Sequence, residues 1–121
     1  MKEPMQTTDD VVVIEALRTP RGAAKETGAL HQVTPMELLA GVLRELRTRT
    51  DVDTHQVADG VFGCVTQTGD QGGNIGKAAC LLADWSASMS AVTINRYCAS
   101  GLSAVNWAAQ QARNMQGLTV A

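Results

Sequence analysis

The sequence predicts an α/β fold with a parallel or mostly parallel sheet built in the order βαβαβαβ. Four short apolar runs rich in β-formers alternate with three segments whose apolar residues recur at helical spacing. Apolar residues make up 45% of the chain but aromatic residues only 3%, so the core must be aliphatic. A chain of 121 residues can bury one such core, and one domain is expected.

The first third of the chain contains one strand signal and one helix signal. Residues 1–10 are polar without an apolar period, which predicts a tail ahead of a domain spanning residues 11–121. Val11–Ala16 is typical of a strand buried in a parallel sheet, and Arg18–Pro20 ends it. Thr34–Glu37 forms a capping box with proline at the first helical position, so a helix is predicted to begin there. Its apolar stripe is Met36, Leu39, Ala40, Leu43 and Leu46.

The remaining elements alternate regularly along the chain. Gly60–Thr66 is short, apolar and β-rich, which predicts a second buried strand. Asn74–Leu82 predicts a short helix, and Ala91–Ile94 predicts the third strand. A helix is predicted from Cys98 to near Gly117, and the small residues around its apolar stripe predict that it is buried. That stripe is Leu102, Val105, Ala109, Ala112 and Met115. Leu118–Ala121 begins another strand.

Charge and hydropathy exclude several classes of protein. Ten basic and twelve acidic residues leave a net charge of −2 without a basic stripe, so nucleic acid is not an expected partner. The apolar runs are far too short for a membrane span, and the polar N-terminus lacks the apolar core of a signal peptide. The sequence therefore predicts a cytoplasmic protein.

The cysteines and histidines do not form a metal or disulfide pattern. Cys64, Cys80 and Cys98 are an odd number at wide spacing, which predicts reduced thiols rather than a disulfide framework or a metal site. Cys64 lies in a predicted strand and Cys80 in a predicted helix, so both are expected to be inert packed thiols. His31 and His55 lie in predicted loops without partners at ligand spacing and are expected to be surface residues.

A glycine-rich segment after the second predicted strand invites comparison with a phosphate-binding loop. Gly72, Gly76 and Lys77 superficially match that motif. However, the motif needs four residues between its glycines and a serine or threonine after the lysine. Here position 71 is Gln and position 78 is Ala, so a phosphate loop is not predicted.

The best candidate for chemistry is Cys98, because it stands where an apolar strand gives way to a helix. Unpaired N–H groups and the positive end of the macrodipole at a helix N-terminus favour a thiolate, which is the reactive form of cysteine. In parallel α/β sheets, ligands bind outside the carboxyl ends of the strands, and Cys98 follows such an end. Cys98 is therefore the predicted nucleophile.

Three segments carry a resemblance to a known family. Val92–Val105, which reads VTINRYCASGLSAV, resembles the active-site cysteine segment of the thiolases. Arg18–Gly22 is similar to the Arg-Thr-Pro-x-Gly turn that follows the first strand of that family. Thr68–Lys77 is similar to its glycine- and glutamine-containing turn into a helix, with Lys77 where the family usually has arginine.

The resemblance implies an acyltransferase that interconverts 3-ketoacyl-CoA plus CoA and acyl-CoA plus acetyl-CoA. Cys98 would be the acyl-thioester nucleophile of a ping-pong reaction. The resemblance further implies coenzyme A as substrate or product rather than a permanently bound cofactor, an acyl-CoA or 3-ketoacyl-CoA substrate, and a homo-oligomer for the full-length protein.

The resemblance covers only the early part of the thiolase fold. Thiolases draw a histidine base and a second reactive cysteine from later segments, which have no counterpart here. His31, His55, Cys64 and Cys80 do not match those motifs. Residues 11–121 are therefore expected to be a partial N-terminal α/β domain, truncated within a strand pattern, with little or no turnover alone.

Two other interpretations stay open at this stage. Ketosynthases share a related fold and also hold an acyl group on a helix-terminal cysteine. Alternatively, the chain could be a non-catalytic α/β binding or assembly module in which all three thiols are structural. Selective labelling of Cys98 near neutral pH would favour a nucleophile, whereas slow labelling of all three thiols would favour the module.

Overall fold

A computed structural model of the chain describes residues 10–121, in which helices and strands alternate. Helix α1 spans Pro35–Thr50, α2 spans Ile75–Leu82 and α3 spans Ser100–Met115. Strands β1, β2 and β3 span Val57–Gly63, Ser90–Ile94 and Leu118–Val120. Short 3-10 turns at Thr54–Gln56 and Gly69–Gln71 precede β1 and α2. The α/β class is confirmed.

The three strands form one parallel sheet in the order β2-β1-β3. Asp59 pairs with Ser90 and Gly63 pairs with Ile94, so β1 and β2 end at the same edge. On the other side of β1, Val57 pairs with Leu118. The central strand therefore has a partner on both sides, as expected for a buried parallel sheet.

The predicted capping box starts α1. The Thr34 hydroxyl accepts a hydrogen bond from the Glu37 N–H at 3.2 Å, and the Glu37 carboxylate accepts one from the Thr34 N–H at 3.0 Å. Pro35 occupies the first helical turn, where its missing N–H costs nothing. The residue after the helix, Asp51, is its C-cap and adopts a left-handed conformation with φ 50°.

Two apolar clusters cover the two faces of the sheet, because successive side chains of a strand point to opposite sides. Phe62 belongs to the larger cluster with residues of α1 and α2, and Val61 packs against α3. The larger cluster contains Ala40, Leu43, Val57, Phe62, Ala79, Cys80, Ala83, Trp85, Met89 and Val120. The smaller one contains Val61, Ala104 and Ala108, so α3 packs through its small residues. The prediction that its apolar stripe is buried is wrong for Leu102, Val105 and Met115, which are exposed because the face with Ala104 and Ala108 contacts the sheet instead.

Three polar contacts join α1 to the chain at the end of α2. Arg44 donates to the Leu82 carbonyl at 2.8 Å, and Arg47 donates to the Asp84 carbonyl at 3.0 Å. The indole Nε1–H of buried Trp85 donates to the Leu43 carbonyl at 3.1 Å. The carbonyl oxygens of Leu82, the last residue of α2, and of Asp84 beyond it are therefore bonded by side chains distant in sequence.

The first predicted strand is wrong for the described chain. Val11–Ile14 forms no strand, and the side chains of Val12, Val13 and Ile14 are 74%, 77% and 69% exposed. The described sheet consists of β1, β2 and β3, and Val11–Ile14 pairs with none of them; an extended run without a ladder partner is not a strand. The observed order of helices and strands begins with α1 and is αβαβαβ rather than βαβαβαβ.

Smaller differences concern boundaries. The second predicted strand, Gly60–Thr66, is shifted toward the N-terminus and ends at Gly63. The observed strand β1 begins at Val57, whose side chain is buried in the core, so it includes the polar Asp59 ahead of the predicted start. Of the tail predicted at residues 1–10, all but Asp10 lies outside the described residues. Within residues 10–121, no helix is both long and apolar enough to cross a membrane.

Candidate functional site

Cys98 lies in a tight turn between the end of β2 at Ile94 and the start of α3 at Ser100. Its side chain is exposed at the carboxyl edge of the sheet, where ligands of parallel α/β folds bind. The predicted position at a strand-to-helix junction is confirmed, while its reactivity remains a prediction.

Two side chains hold this turn. Asn95 Oδ1 accepts the Tyr97 N–H at 2.8 Å, and Asn95 Nδ2 donates to the Val65 carbonyl at 3.2 Å. Ser100 Oγ accepts the Arg96 N–H at 2.8 Å and donates to the Tyr97 carbonyl at 2.6 Å. Tyr97, which precedes the thiol, has a positive φ of 47°, so the turn contains a left-handed residue that is not glycine.

The N-terminus of α3 is open to an acceptor from outside the helix. Ala99 occupies the cap position and offers no side-chain cap hydrogen bond. The hydroxyl of Ser100, the first residue of the helix, does not cap it either, because it bonds the Arg96 N–H and the Tyr97 carbonyl instead. The helix is 16 residues long, so its positive end lies beside Cys98 and favours negative charge there.

Gly63 brings the start of α3 against the end of β1. A Cβ atom at Gly63 would lie 2.6 Å from the Ser100 carbonyl carbon and 2.7 Å from the Gly101 nitrogen. Such distances are too short for any side chain, because the obstructing atoms belong to the backbone. The absence of a side chain at position 63 therefore allows α3 to begin where it does.

The other two thiols differ from each other. Cys64 is half-buried at the same sheet edge, where its Sγ lies 3.4 Å from Gln71 Oε1. The prediction of a core thiol is wrong for Cys64, because β1 ends one residue before it. Cys80 is fully buried as predicted. Burial raises the pKa of its thiol to about 11, and the positive charge of Lys77 offsets this rise only partly.

The histidines lie away from Cys98. His55 precedes β1, at the edge of the sheet opposite the carboxyl end, and its Nδ1 lies 3.0 Å from Ser86 Oγ. His31 is exposed in the turns before α1. Among residues 10–121, no group of three or more His, Cys, Asp or Glu side chains could hold a metal ion.

The glycine-rich segment is committed to internal contacts, in agreement with the rejection of a phosphate loop. The Gly76 N–H donates to Thr93 Oγ1 at 3.1 Å. Lys77 Nζ donates to the carbonyl oxygens of Ala87 and Met89, the first at 2.9 Å. Lys77 therefore secures the loop before β2 rather than facing Cys98.

Sequence reasoning missed the roles of Asn95 and Ser100 in the turn. An asparagine whose side chain accepts the N–H two residues later forms an Asx-turn, a recognised local pattern. Asn95 ahead of Tyr97 was therefore a usable signal. The contacts of Ser100 had no such signal, because a serine at a helix start is ordinarily assigned to capping.

Comparisons with known proteins identify the family to which the chain belongs. The family described as "Thiolase, N-terminal domain" matches residues 11–118. The 3-ketoacyl-CoA thiolase of Psychrobacter sp. (strain PRwf-1) is 40% identical over 108 residues, covering 89% of this chain and 27% of that protein. The 3-ketoacyl-CoA thiolase of Marinomonas sp. (strain MWYL1) is 41% identical over 110 residues, covering 90% and 28%.

A solved structure matches as well. The crystal structure of the Bacillus anthracis acetyl-CoA acetyltransferase superposes with a TM-score of 0.65 at 37% identity, covering 71% of this chain and 22% of that one. The chain thus spans about a quarter of the length of the relatives it matches.

Proposed function

Because the chain belongs to the thiolase family and matches its N-terminal domain, we propose that it is the part of a thiolase that receives the acyl group. The proposed activity interconverts 3-ketoacyl-CoA plus CoA and acyl-CoA plus acetyl-CoA. The observation that carries this proposal is the exposed Cys98 thiol beside the uncapped N-terminus of α3.

Cys98 acts as the nucleophile of acyl transfer. Its thiolate attacks the thioester carbonyl, a new carbon–sulfur bond forms, and the bond to the CoA sulfur breaks. CoA leaves as a thiolate that takes up a proton. Negative charge that develops on the carbonyl oxygen is favoured by the positive end of α3, because that helix has no side-chain cap.

Coenzyme A is then a substrate and product rather than a permanent cofactor. The acyl-CoA or 3-ketoacyl-CoA substrate and homo-oligomeric assembly of the longer protein follow from the family proposal, and a cytoplasmic location is proposed from the short apolar runs of the sequence. The ketosynthase alternative is not supported, since the matching family and the relatives described above are thiolases or an acetyl-CoA acetyltransferase.

Proton transfer needs groups that the described residues do not bring to Cys98. His55 is bonded to Ser86 at the opposite edge of the sheet, and His31 is exposed before α1. The chain therefore supplies the acyl acceptor without a histidine base beside it. We expect acyl transfer to Cys98 but little or no turnover by the 121-residue protein.

Acetylation by acetyl-CoA tests the proposal. The purified chain is incubated with acetyl-CoA at pH 7.5, and peptide mass spectrometry locates the acetyl thioester. We expect an adduct on Cys98 that is absent from Cys98→Ser and retained in the matched variant Cys64→Ser. Equal modification of Cys64 and Cys98 would support the non-catalytic module instead, and robust thiolysis would contradict the expected lack of turnover.

A further inference from the structure

The turn that presents Cys98 depends on side chains at its two ends. Asn95 enters from the strand end, where its amide bridges the Tyr97 N–H and the Val65 carbonyl. Ser100 enters from the helix start, where its hydroxyl bridges the Arg96 N–H and the Tyr97 carbonyl. Tyr97 is thus contacted through both its N–H and its carbonyl oxygen.

The backbone at Tyr97 explains why such support is needed. A non-glycine residue with φ near 47° occupies the left-handed region, which costs free energy and persists only when the surroundings enforce it. The Tyr97 side chain is 78% exposed, so packing of its ring does not enforce the conformation. The side-chain hydrogen bonds of Asn95 and Ser100 do, together with backbone bonds from the Ala99 N–H to the Arg96 carbonyl and from the Ser100 N–H to the Tyr97 carbonyl.

We propose that Asn95 and Ser100 are positioning residues for Cys98, and that they enforce the left-handed conformation of Tyr97 so that the thiol faces the N-terminus of α3. This inference rests on the proposed function of Cys98 as nucleophile. Neither residue touches the acyl group. They act by keeping the sulfur at the positive end of the helix rather than in free solution.

The two residues have different anchors. Ser100 is 4% exposed and belongs to α3, so it ties the turn to the helix. Asn95 reaches the Val65 carbonyl in the segment after β1, so it ties the turn to the neighbouring strand end. Loss of either anchor frees one end of the turn while the other end stays attached.

Alkylation of the intact chain by iodoacetamide at pH 7.5 measures the positioning. Peptide mass spectrometry gives separate rates for Cys98, Cys64 and the buried Cys80. We expect Asn95→Leu and Ser100→Ala to slow alkylation of Cys98 about three- to ten-fold, the effect of losing hydrogen bonds of ordinary strength. Continued protection of Cys80 shows that a variant has kept its fold, because that thiol is 0% exposed.

Rescue variants separate positioning from general damage. Ser100→Thr keeps the hydroxyl and should restore the Cys98 rate that Ser100→Ala loses. Adding Tyr97→Gly to Asn95→Leu should restore much of the rate, because glycine adopts positive φ without penalty. Gln67→Leu is the matched control, since it removes an amide hydrogen bond to the Cys64 carbonyl at the same edge and should leave Cys98 unchanged.

The outcomes distinguish this inference from the proposed function. If Cys98 in the unchanged protein reacts no faster than Cys64, Cys98 is not an activated nucleophile and both ideas fail. If Cys98 is selectively reactive and remains so in Asn95→Leu and Ser100→Ala, only the positioning inference is overturned. Slowing that neither Tyr97→Gly nor Ser100→Thr rescues also overturns it, because the effect would then not come from the conformation of Tyr97 or the hydroxyl of Ser100.

Discussion

Replacing Gly63 by alanine should disturb both the fold and the thiol, because this residue sets the distance between β1 and α3. A methyl group at Gly63 would lie 2.6 Å and 2.8 Å from the carbonyl carbon and oxygen of Ser100, and 2.7 Å from the Gly101 nitrogen. Ordinary contacts are roughly 1 Å longer. Since all three atoms are backbone, no rotamer change relieves the overlap, and the start of α3 must move.

The structure sets the size of the effect. Overpacking of a tightly packed contact costs about 1–3 kcal/mol, and Gly63→Ala should lie near the upper end because a whole helix must shift. For a chain of this size, that loss lowers the midpoint of thermal unfolding by about 10 °C. Tryptophan fluorescence reports the transition, because Trp85 is buried in the larger cluster while the other tryptophan, Trp107, is already 41% exposed. Alkylation of Cys98 measures the accompanying change at the site.

Gly101→Ala is the matched control for this prediction. A Cβ atom at Gly101 meets nothing within 4 Å, and alanine favours a helix over glycine by up to about 1 kcal/mol. Its unfolding midpoint should therefore stay constant or rise. Equal midpoints for Gly63→Ala and the unchanged protein, with unchanged Cys98 reactivity, would refute the view that close approach at Gly63 positions α3.

Three further predictions concern the frame of the site. Trp85→Phe should lower the free energy of unfolding in urea by about 1–2 kcal/mol, because the Leu43 carbonyl loses its indole donor; an unchanged midpoint would show that this bond contributes nothing. Thr34→Ala should cost about 1 kcal/mol at pH 7 through loss of the cap, measured by the same unfolding experiment. Hydrogen bonds from the Thr34 backbone N–H and, to a smaller extent, its hydroxyl lower the pKa of Glu37 below its ordinary value of 4.5. The stabilisation that passes through the Glu37 carboxylate is therefore present above that value and is lost as the pH falls through the lowered one. Thr34→Ala removes the share of the hydroxyl, so its effect should shrink in acid, and a constant effect would contradict this assignment. Cys80 should resist alkylation at pH 8 until urea unfolds the chain, because it is buried and its pKa is raised to about 11; native labelling as fast as that of Cys98 would be incompatible with the packing.

Local signals in the sequence predicted those elements whose ends are fixed by neighbouring residues. Thr34 and Glu37 defined the start of α1, because a capping box involves only residues within one turn. The junction at Cys98 was predictable for the same reason, since an apolar strand and a helix meet there within a few residues. Local chemistry was sufficient in both cases.

Pairing between distant segments was not predictable from the same signals. Val11–Ile14 has the composition of a buried strand, but a strand also needs a ladder partner, and this run pairs with none of the three described strands. The end of β1 at Gly63 depends on α3, about 40 residues later, which no local pattern around Cys64 reveals. His55 likewise gains its partner Ser86 only through folding.

The contacts between α1 and the end of α2 have a consequence for the dynamics of the domain. An eight-residue helix such as α2 is too short to persist alone, and Arg44 of α1 donates to the carbonyl of its last residue, Leu82. Hydrogen exchange should therefore show the amides of α1 and α2 opening as one cooperative unit. Helix α3 packs on the opposite face, so the segment that carries Cys98 can keep its conformation through such openings.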